Sequence, residues 1–405
     1  GNAVEIVRLD RDGKPIDLNG KSSLWRNSYD PNTGRLLGEA FYNSAGAKMS
    51  GAGGYWRVEY SHDRFGNETA DTYFDVDDHP LGQQRAPEGP GQSSGAQSAK
   101  AGEASGIGAG KSEALPVAKW TARYDEHGNQ VEVRRLDWRG QPVPKEKDIA
   151  LERIDYDRDG RRIRHIYYDE SEQPTPDSDG DIAYAFEYDP DGNRMATHYF
   201  DAELKPAAPP KRQHATTRFK YDESGNEIDE AYFDTDGKPV GDKDGITEIS
   251  YSYVDGLESE AIWYGKDRQR VVNSNRYSRR HTDYDRYGRV SEYHYYDAED
   301  RPMHPPDAAP TVRVLYDQNG NKISRVNLDE RGNPVDLDGW AEWIDEFDRN
   351  NRLVRTLYFN AAGRPATGTD RYAIGSWRYD DDGDKVRSEY LGPDWKPVAG
   401  PEGYA

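Results

Sequence analysis

Thr217 to Val240 reads TRFKYDESGNEIDEAYFDTDGKPV, and this stretch contains the unit from which the whole chain is built. It holds two short runs in which apolar and polar residues alternate, and each run ends in a turn sequence that carries Asp and Gly. Alternation with a period of two is typical of a half-buried β-strand. An Asp- and Gly-bearing turn between two such runs is typical of a β-hairpin. The stretch therefore predicts one hairpin followed by a second turn.

The same unit recurs along the chain with a period of about 32 residues, which is in the range of known repeat architectures. Its marker is the Tyr of YDESGN, and the equivalent positions are Tyr29, His62, Tyr124, Tyr156, Tyr188, Tyr221, Tyr253, Tyr284, Tyr316, Phe347 and Tyr379. A fixed period of this kind predicts that each unit buries its apolar surface against its neighbours and has no core of its own.

The spacing doubles once, between His62 and Tyr124. Residues 83–115, which lie between these two markers, are rich in Gly, Ser, Ala, Gln and Pro and show no periodicity, a composition typical of a flexible coil. We therefore divide the chain into N-terminal hairpin repeats at 1–82, a disordered linker or insertion at 83–115, and the main hairpin-repeat array at 116–405.

Two strands per unit predict roughly 23 antiparallel strands, and an open sheet of that size is expected to curl or split. We therefore predict an all-β fold in which tandem hairpin repeats form a long coiled or superhelical antiparallel sheet. The alternative is a six-bladed β-propeller, because two units supply the four strands of one blade. Odd and even units do not differ, however, as the inner and outer strands of a blade should.

The second strand of each unit ends in two apolar residues. The last one, here called the terminal ladder, is never polar: Leu9, Tyr42, Phe74, Leu136, Tyr168, Phe200, Phe233, Tyr264, Tyr296, Leu328, Phe359 and Leu391. The residue before it forms the tyrosine ladder: Phe41, Tyr73, Tyr167, Tyr199, Tyr232, Trp263, Tyr295, Tyr358 and Tyr390, with polar exceptions at Arg8, Arg135 and Asn327. Neighbours on a strand point to opposite faces. If the first turn holds an even number of residues, the tyrosine ladder joins the apolar face of the first strand, and the terminal ladder lies on the other face, which is then covered too.

Composition limits the classes of partner. The formal net charge is −21, whereas binding to nucleic acid or to an anionic membrane surface requires an excess of Lys and Arg, so we expect neither. The absence of Cys excludes disulfides, zinc–thiolate sites and Cys nucleophiles. No run approaches the ~20 apolar residues of a membrane span, so we expect no membrane insertion. Because the chain opens in the middle of a unit, we expect a fragment whose targeting segment was removed.

Motifs for catalysis and metal binding point to no site. The chain has no SxxK or HExxH motif, its nine His are scattered, and its carboxylates recur at every turn instead of forming one defined pair. The DSDGD stretch offers Asp177, Asp179 and Asp181 as a weak Ca²⁺ candidate, but the Glu that completes an EF-hand loop is missing, which favours a turn-capping role. We predict a protein that is not an enzyme, with no cofactor and no metal.

The turn phrases YDRDGRR from Tyr156, YDRYGRV from Tyr284 and YDPNTGRLL from Tyr29 resemble the YD repeats of the RHS family. Proteins of that family are bacterial surface or secreted proteins whose hairpin repeats coil into shells, and some have been linked to carbohydrate binding. The units are also loosely similar to MORN-type hairpin repeats, including the antitoxin-like proteins built from them. The period here is longer than in typical YD repeats, and the Gly-x-Pro-Val turn is foreign to them. The resemblance implies an extracytoplasmic protein (periplasm, cell surface or secreted) and carries over no catalytic residue.

The tyrosine ladder is the feature that points to binding. If the ladder is buried, it forms the packing contact, or seam, between neighbouring repeats. If it is exposed, a row of aromatic rings beside Asp and Asn can stack on sugars or contact an extended peptide. The candidate ligand-binding residues are Tyr167, Tyr199, Tyr232, Trp263, Tyr295 and Tyr358. We predict a non-catalytic scaffold whose extended acidic and aromatic surface binds a carbohydrate polymer (glycan) or a protein partner. The alternatives are an acidic immunity protein that neutralises a basic toxin or effector, and a glycan-active enzyme module.

Overall fold

A computed structural model describes residues 4–10, 12–17, 22–50, 54–82, 117–144 and 148–401. Over these ranges the chain forms one open sheet of 23 antiparallel strands, and its helical content is a single 3-10 turn at Lys266–Arg268. The predicted all-β fold of tandem hairpins is confirmed. The predicted linker at 83–115 lies outside the described residues. No helix within the described ranges is long and apolar enough to cross a membrane.

Each hairpin consists of a first strand that leads to the marker residue and a second strand that leads to the terminal ladder. The first strands are β2 (Leu24–Tyr29), β4 (Arg57–His62), β6 (Lys119–Tyr124), β8 (Leu151–Tyr156), β10 (Ala183–Tyr188), β12 (Thr216–Tyr221), β14 (Glu248–Val254), β16 (Arg279–Tyr284), β18 (Thr311–Tyr316), β20 (Glu342–Phe347) and β22 (Ile374–Tyr379). The second strands are β1 (Glu5–Val7), β3 (Leu36–Tyr42), β5 (Glu68–Phe74), β7 (Gln130–Leu136), β9 (Arg162–Tyr168), β11 (Arg194–Phe200), β13 (Glu227–Phe233), β15 (Leu257–Tyr264), β17 (Val290–Tyr296), β19 (Lys322–Leu328), β21 (Leu353–Phe359) and β23 (Lys385–Leu391).

The described chain forms two compact units that are built from the same hairpins. One comprises residues 1–187 and 197–211, and the other comprises residues 188–196 and 212–405. In the first unit β5 pairs directly with β6, the strand that follows the undescribed stretch. Strands β5 and β6 are therefore neighbours in the sheet, although their markers are two periods apart in the sequence.

The alternative of a six-bladed propeller is wrong, because a propeller divides its strands into separate four-stranded blades, whereas all 23 strands here belong to one sheet. The predicted coiled or superhelical path of that sheet remains a prediction.

The two turns of most units share one design, in which the side chain of the first turn residue, usually Asp, caps the turn. In the first turn Asp222 Oδ1 accepts hydrogen bonds from the N–H groups of Ser224 and Asn226, each at 2.9 Å, and Asn226 Nδ2 donates to Asp222 Oδ2. Gly225 supplies the left-handed conformation, with φ of 81°, that a side chain would disfavour. Asp234 caps the second turn in the same way. The predicted roles of Asp and Gly in the turns are confirmed.

A β-bulge decides which face the tyrosine ladder occupies. The first turn holds five residues, 222–226, and this odd number alone would place the ladder opposite the polar side of the first strand. The register shifts between Lys220 and Tyr221, however, so that Ile228 is an extra residue on the second strand. Thr217 therefore faces Tyr232, and the ladder does join the apolar face as expected.

Adjacent hairpins are joined over a much shorter length than the two strands within a hairpin. Strands β12 and β13 pair over six residues, whereas β13 and β14 pair over three: Asp229 with Ser250, Glu230 with Ile249, and Ala231 with Glu248. The adjoining strands are thus unpaired near the first turn. There the marker Tyr hydroxyl donates a hydrogen bond to a main-chain carbonyl of the preceding hairpin: Tyr124 to Glu68, Tyr221 to Arg194, Tyr253 to Glu227, Tyr284 to Glu258 and Tyr379 to Leu353, at 2.7–3.1 Å.

At the other end of the short inter-hairpin ladder lies a residue that the sequence analysis missed. It directly precedes the first strand, and it is small and at most 1% exposed at Ser23, Ala118, Ala150, Ala215, Ser278, Ala341 and Ala373. We call these the joint residues. The N–H of Ala341 donates to the carbonyl of Phe359 in its own hairpin, and its carbonyl accepts from the N–H of Asn327 in the preceding one, both at 2.7 Å. Each joint residue therefore belongs to two ladders at once.

We expect Ala341→Leu to destabilise the protein by about 1–3 kcal/mol or more, because a completely buried position between two hairpins has no room for added methylenes. The matched control is Ala362→Leu, at an exposed position of a second turn, which should change stability by no more than about 0.5 kcal/mol. Urea-induced unfolding of both variants measures the difference. Equal midpoints would show that the joint residues do not limit packing.

Candidate functional site

The hairpins present two chemically different faces. The aromatic face carries the marker residues, the alternate apolar residues of the first strand and the tyrosine ladder. The charged face carries the terminal ladder, which was predicted to be covered; in five hairpins the cover is an Arg side chain of the first strand. Guanidinium groups lie over terminal-ladder rings in five hairpins: Arg26 over Tyr42, Arg57 over Phe74, Arg153 over Tyr168, Arg218 over Phe233 and Arg279 over Tyr296, at 3.8–4.9 Å from the ring centroids. Such cation–π contacts are favourable and keep the charge in contact with water.

All six candidate ligand-binding residues lie on the aromatic face. Tyr199, Tyr232 and Tyr358 are buried, whereas Tyr167, Trp263 and Tyr295 are half-buried. Burial raises the pKa of Tyr295 to about 12, and it also raises the pKa of Tyr167 and of Tyr232. The rings therefore form the packing contact between neighbouring repeats, and their contact with a ligand stays a prediction.

Rings from the connections between hairpins interleave with the tyrosine ladder, and the sequence analysis did not identify them. Tyr277 lies between Trp263 and Tyr295, with ring centroids 5.1 and 4.9 Å away. Tyr372 lies in the same way between Tyr358 and Tyr390, at 5.8 and 5.1 Å. The signal was present two residues before the first strand, where Tyr55, His214, Tyr277, Trp340 and Tyr372 stand. Because the connections between hairpins differ in length, this aromatic position does not line up when the units are aligned on their turns.

In the first compact unit, carboxylates lie among the rings of the aromatic face. The Tyr60 hydroxyl donates to Glu39 Oε2 at 2.8 Å, and the Tyr73 hydroxyl donates to Asp71 Oδ2 at 3.2 Å. Asp71 Oδ1 is buried and has no hydrogen-bond donor among the described residues. Burial, together with the negative charge of Glu68, raises the pKa of Asp71 to about 6. This cluster of Glu39, Tyr60, Asp71 and Tyr73 is called the acidic tyrosine cluster below.

The second compact unit repeats this chemistry on β13 and β14. Burial raises the pKa of Glu230, which lies beside Tyr232, and burial also raises the pKa of Glu227. The pKa of Tyr251 is raised by burial and by the charge of Glu230. Both units thus carry poorly solvated carboxylates among tyrosine rings.

Another carboxylate of the aromatic face, Glu152, is already compensated. Glu152 lies beside Arg135, which replaces an aromatic residue of the ladder, and Arg135 Nη2 donates to Glu152 Oε1 at 2.6 Å. His165 is 4% exposed and links Glu152 Oε2, at 3.1 Å, to the Tyr184 hydroxyl, at 2.7 Å. Burial alone would raise the pKa of Glu152, but hydrogen bonds from His165 and Arg135 outweigh it and lower the pKa to about 2. The chain therefore supplies its own cation where a ladder ring is missing.

The weak Ca²⁺ candidate has the geometry of a capped turn. Asp177 Oδ1 accepts hydrogen bonds from the N–H groups of Asp179 and Asp181, at 2.8 and 3.0 Å, as Asp222 does in the first turn of its hairpin. Asp179 forms an ion pair with Lys211 at 3.2 Å, and Asp181 is 3% exposed. These contacts support the turn-capping role.

We expect the stability of Asp71→Asn relative to the native protein to depend on pH. The folded state keeps the Asp71 proton up to a pKa of about 6, against an ordinary value of 3.8, so this residue's contribution to stability falls as pH rises through that window. Asp71→Asn should therefore be more stable than the native protein at pH 8, by about 1 kcal/mol after allowance for solvent screening, and equally stable at pH 4.

The matched variant is Glu152→Gln, whose effect has the opposite sign. The pKa of Glu152 is lowered from 4.5 to about 2, so its contribution to stability is present above pH 4.5 and is lost as pH falls towards 2. Glu152→Gln should destabilise the protein at pH 8. Melting curves at both pH values separate the two cases, and a pH-independent effect of Asp71→Asn would contradict the assignment.

Comparisons with known proteins do not assign the chain to a family. No protein-family model matches it, and no curated protein matches it. Among solved structures, the crystal structure of TcdB2-TccC3-Cdc42 matches at 12% identity with a TM-score of 0.27, over 98% of this chain and 20% of that one. A structure of the Photorhabdus luminescens Tc holotoxin pore matches at 11% identity with a TM-score of 0.21, over 96% of this chain and 18% of that one. This chain thus spans about a fifth of those chains, and TM-scores this low establish no shared fold.

Proposed function

We propose that this chain is a non-catalytic repeat scaffold whose aromatic face binds a cationic segment of a protein partner. The observation that carries the proposal is the acidic tyrosine cluster on β3, β4 and β5. There the Glu39 and Asp71 carboxylates are held by tyrosine hydroxyls, and Asp71 Oδ1 has no donor among the described residues. A buried carboxylate oxygen without a donor is costly, and a Lys or Arg side chain of a partner would supply the missing hydrogen bond once the side chains that cover the oxygen move aside.

The surroundings of the carboxylates suit a cationic side chain as well. Aromatic ring faces attract ammonium and guanidinium groups, and the attraction increases when the site is desolvated. Charge-assisted hydrogen bonds from a guanidinium to a carboxylate are among the stronger polar contacts. The net charge of −21 would accelerate the encounter with a basic partner.

The non-catalytic part of the proposal is supported by the Glu152–His165–Tyr184 network. Its order of carboxylate, imidazole and hydroxyl is the one that activates a nucleophile in some hydrolases. His165, however, is 4% exposed and packs against the Tyr167 ring at 4.4 Å, so its nitrogen atoms are closed to a substrate. The network instead balances the charge of Arg135 within the seam.

A protein partner is favoured over a glycan because the ladder rings that would stack on sugars are buried or half-buried. The predicted immunity protein against a basic toxin or effector is a specific case of the same chemistry, since it requires the same cationic contact. The extracytoplasmic location remains part of the proposal.

The test is binding of the protein to an immobilised peptide of alternating Gly and Lys or Arg, with a Glu-containing peptide of the same length as reference. We expect the double variant Glu39→Gln, Asp71→Asn to weaken binding to the basic peptide about tenfold, which corresponds to about 1.4 kcal/mol. Binding by the native protein should also weaken as pH falls below about 6, because Asp71 then becomes protonated.

The control removes the same charge from exposed turns of the same compact unit, in the double variant Glu126→Gln, Glu203→Gln. Equal losses in the two double variants would show that net charge alone drives binding and would remove the cluster from the site. Binding of the native protein to a glycan array, with none to either peptide, would favour the carbohydrate alternative.

A further inference from the structure

The hairpin of β16 and β17 carries four metal-binding side chains at adjacent positions of its charged face. His281 faces His294 across the two strands, and Asp283 faces Glu292 two residues further along. Residues two apart on a strand lie on the same face, and direct cross-strand neighbours have Cβ atoms about 4.5–5.5 Å apart. The four side chains therefore form a compact square.

Two of these groups, the carboxylates of Asp283 and Glu292, converge on a nitrogen atom of His294. His294 Nε2 lies 2.9 Å from Asp283 Oδ2 and 3.3 Å from Glu292 Oε2. The fourth side chain is in reach, because His281 Nε2 lies 3.3 Å from Asp283 Oδ1. Zn²⁺ binds nitrogen and carboxylate oxygen at about 2.0–2.2 Å, so tetrahedral ligands around one ion are about 3.3–3.5 Å apart. The ligand atoms of Asp283, Glu292 and His294 all lie within 4.8 Å of one another, so small rotamer changes suffice to enclose an ion.

We propose that Asp283, Glu292 and His294 bind a divalent transition-metal ion of the Zn²⁺ class, with His281 as the fourth protein ligand. Imidazole and carboxylate ligands suit Zn²⁺ and its neighbours in the first transition row better than the all-oxygen cations Ca²⁺ and Mg²⁺. This site lies on the charged face and is independent of the function proposed for the aromatic face.

Neighbouring side chains form hydrogen bonds to the proposed ligands and hold them in place. The Thr311 hydroxyl lies 3.0 Å from His294 Nδ1, the ring nitrogen that does not face the carboxylates. Arg313 Nε donates to Glu292 Oε1 at 2.6 Å and leaves Oε2 directed towards His294. Hydrogen bonds of this type fix the ring orientation of a ligating His and the position of a ligating carboxylate.

A groove of about 280 Å³ adjoins the cluster and is lined by Glu292, His294, Tyr296, Thr311, Arg313 and Glu330. Two of the proposed ligands, Glu292 and His294, therefore border this groove. A bound ion could therefore keep a water molecule or a small anion in its coordination shell.

The chain contains an internal control for this site. His198 and Glu187 occupy the positions of His294 and Asp283 in another hairpin and lie 3.1 Å apart. In that hairpin Ala185 and Ala196 stand where His281 and Glu292 stand here. One His–carboxylate pair is thus present without the other two ligands.

The other group of His and carboxylates that could bind a metal among the described residues is Asp75, Asp77 and His79, in a second turn. Asp75 Oδ1 already accepts hydrogen bonds from the N–H groups of Asp77 and His79, each at 3.0 Å. That carboxylate caps its turn and is less available to an ion.

The experiment titrates the untagged full chain with Zn²⁺ by calorimetry and with Co²⁺ by visible absorption. We expect one strong site, and a Co²⁺ spectrum that indicates fewer than six ligands. His294→Ala and Asp283→Asn should abolish this site. Thr311→Val should weaken metal binding about tenfold, because it removes the hydrogen bond that orients the His294 ring. The control His198→Ala should bind the ion like the native protein.

Melting curves without metal establish that each variant folds, and the native protein but not His294→Ala should melt at a higher temperature when Zn²⁺ is added. Binding should weaken as pH falls, since the ligands must lose protons to bind. The proposal is overturned if the native protein shows no strong site, or if His294→Ala retains it, or if His198→Ala loses it to the same extent.

Discussion

The sheet depends on one main-chain constraint: neighbouring hairpins are joined through a short ladder, which at seven connections ends at a joint residue. Ala341 shows the arrangement, since its N–H is bonded within its own hairpin and its carbonyl is bonded to the preceding one. With 0% of its surface exposed, it leaves space for little more than a methyl group. At the seven connections that end in a joint residue, the backbone is held in the same position even though the loops before it differ in length and composition.

A constant backbone lets the two faces differ in how they are stabilised. On the aromatic face, rings from the connections fill the space between ladder rings, as Tyr277 does between Trp263 and Tyr295. Offset and edge-to-face contacts of this kind add to the area that the rings bury. On the charged face, Arg side chains cover the rings of the terminal ladder. The aliphatic parts of these side chains pack on the rings, while the guanidinium groups form ion pairs. This explains how a chain of 34% hydrophobic residues covers both sides of a sheet.

The sequence predicted those features that depend on local chemistry, and missed those that depend on register between strands. The strands and their order could be predicted from the alternation, the Asp- and Gly-bearing turns and the period of the repeat. The face of the tyrosine ladder followed the expectation only because a bulge at Ile228 offsets a turn of odd length. The ladder's role as core agrees with the burial of Tyr199 and Tyr232, but the sequence did not show which rings would be buried and which half-buried. Likewise His281 and His294 became neighbours only when the cross-strand pairs were known.

Function in such a repeat is best sought where a unit departs from its neighbours, because the shared residues maintain the fold. Arg135 departs from the ladder, and the chain compensates it locally with Glu152 and His165. Asp71 has no such compensation: its Oδ1 has no donor among the described residues, and that unmet hydrogen-bonding capacity has to be offset by something outside the chain or be tolerated as lost stability. A protein under selection for folding alone would gain from replacing such a group. Buried polar groups whose hydrogen bonds are not made within the chain therefore mark positions where stability has been given up, and binding is the most direct physical reason for keeping them.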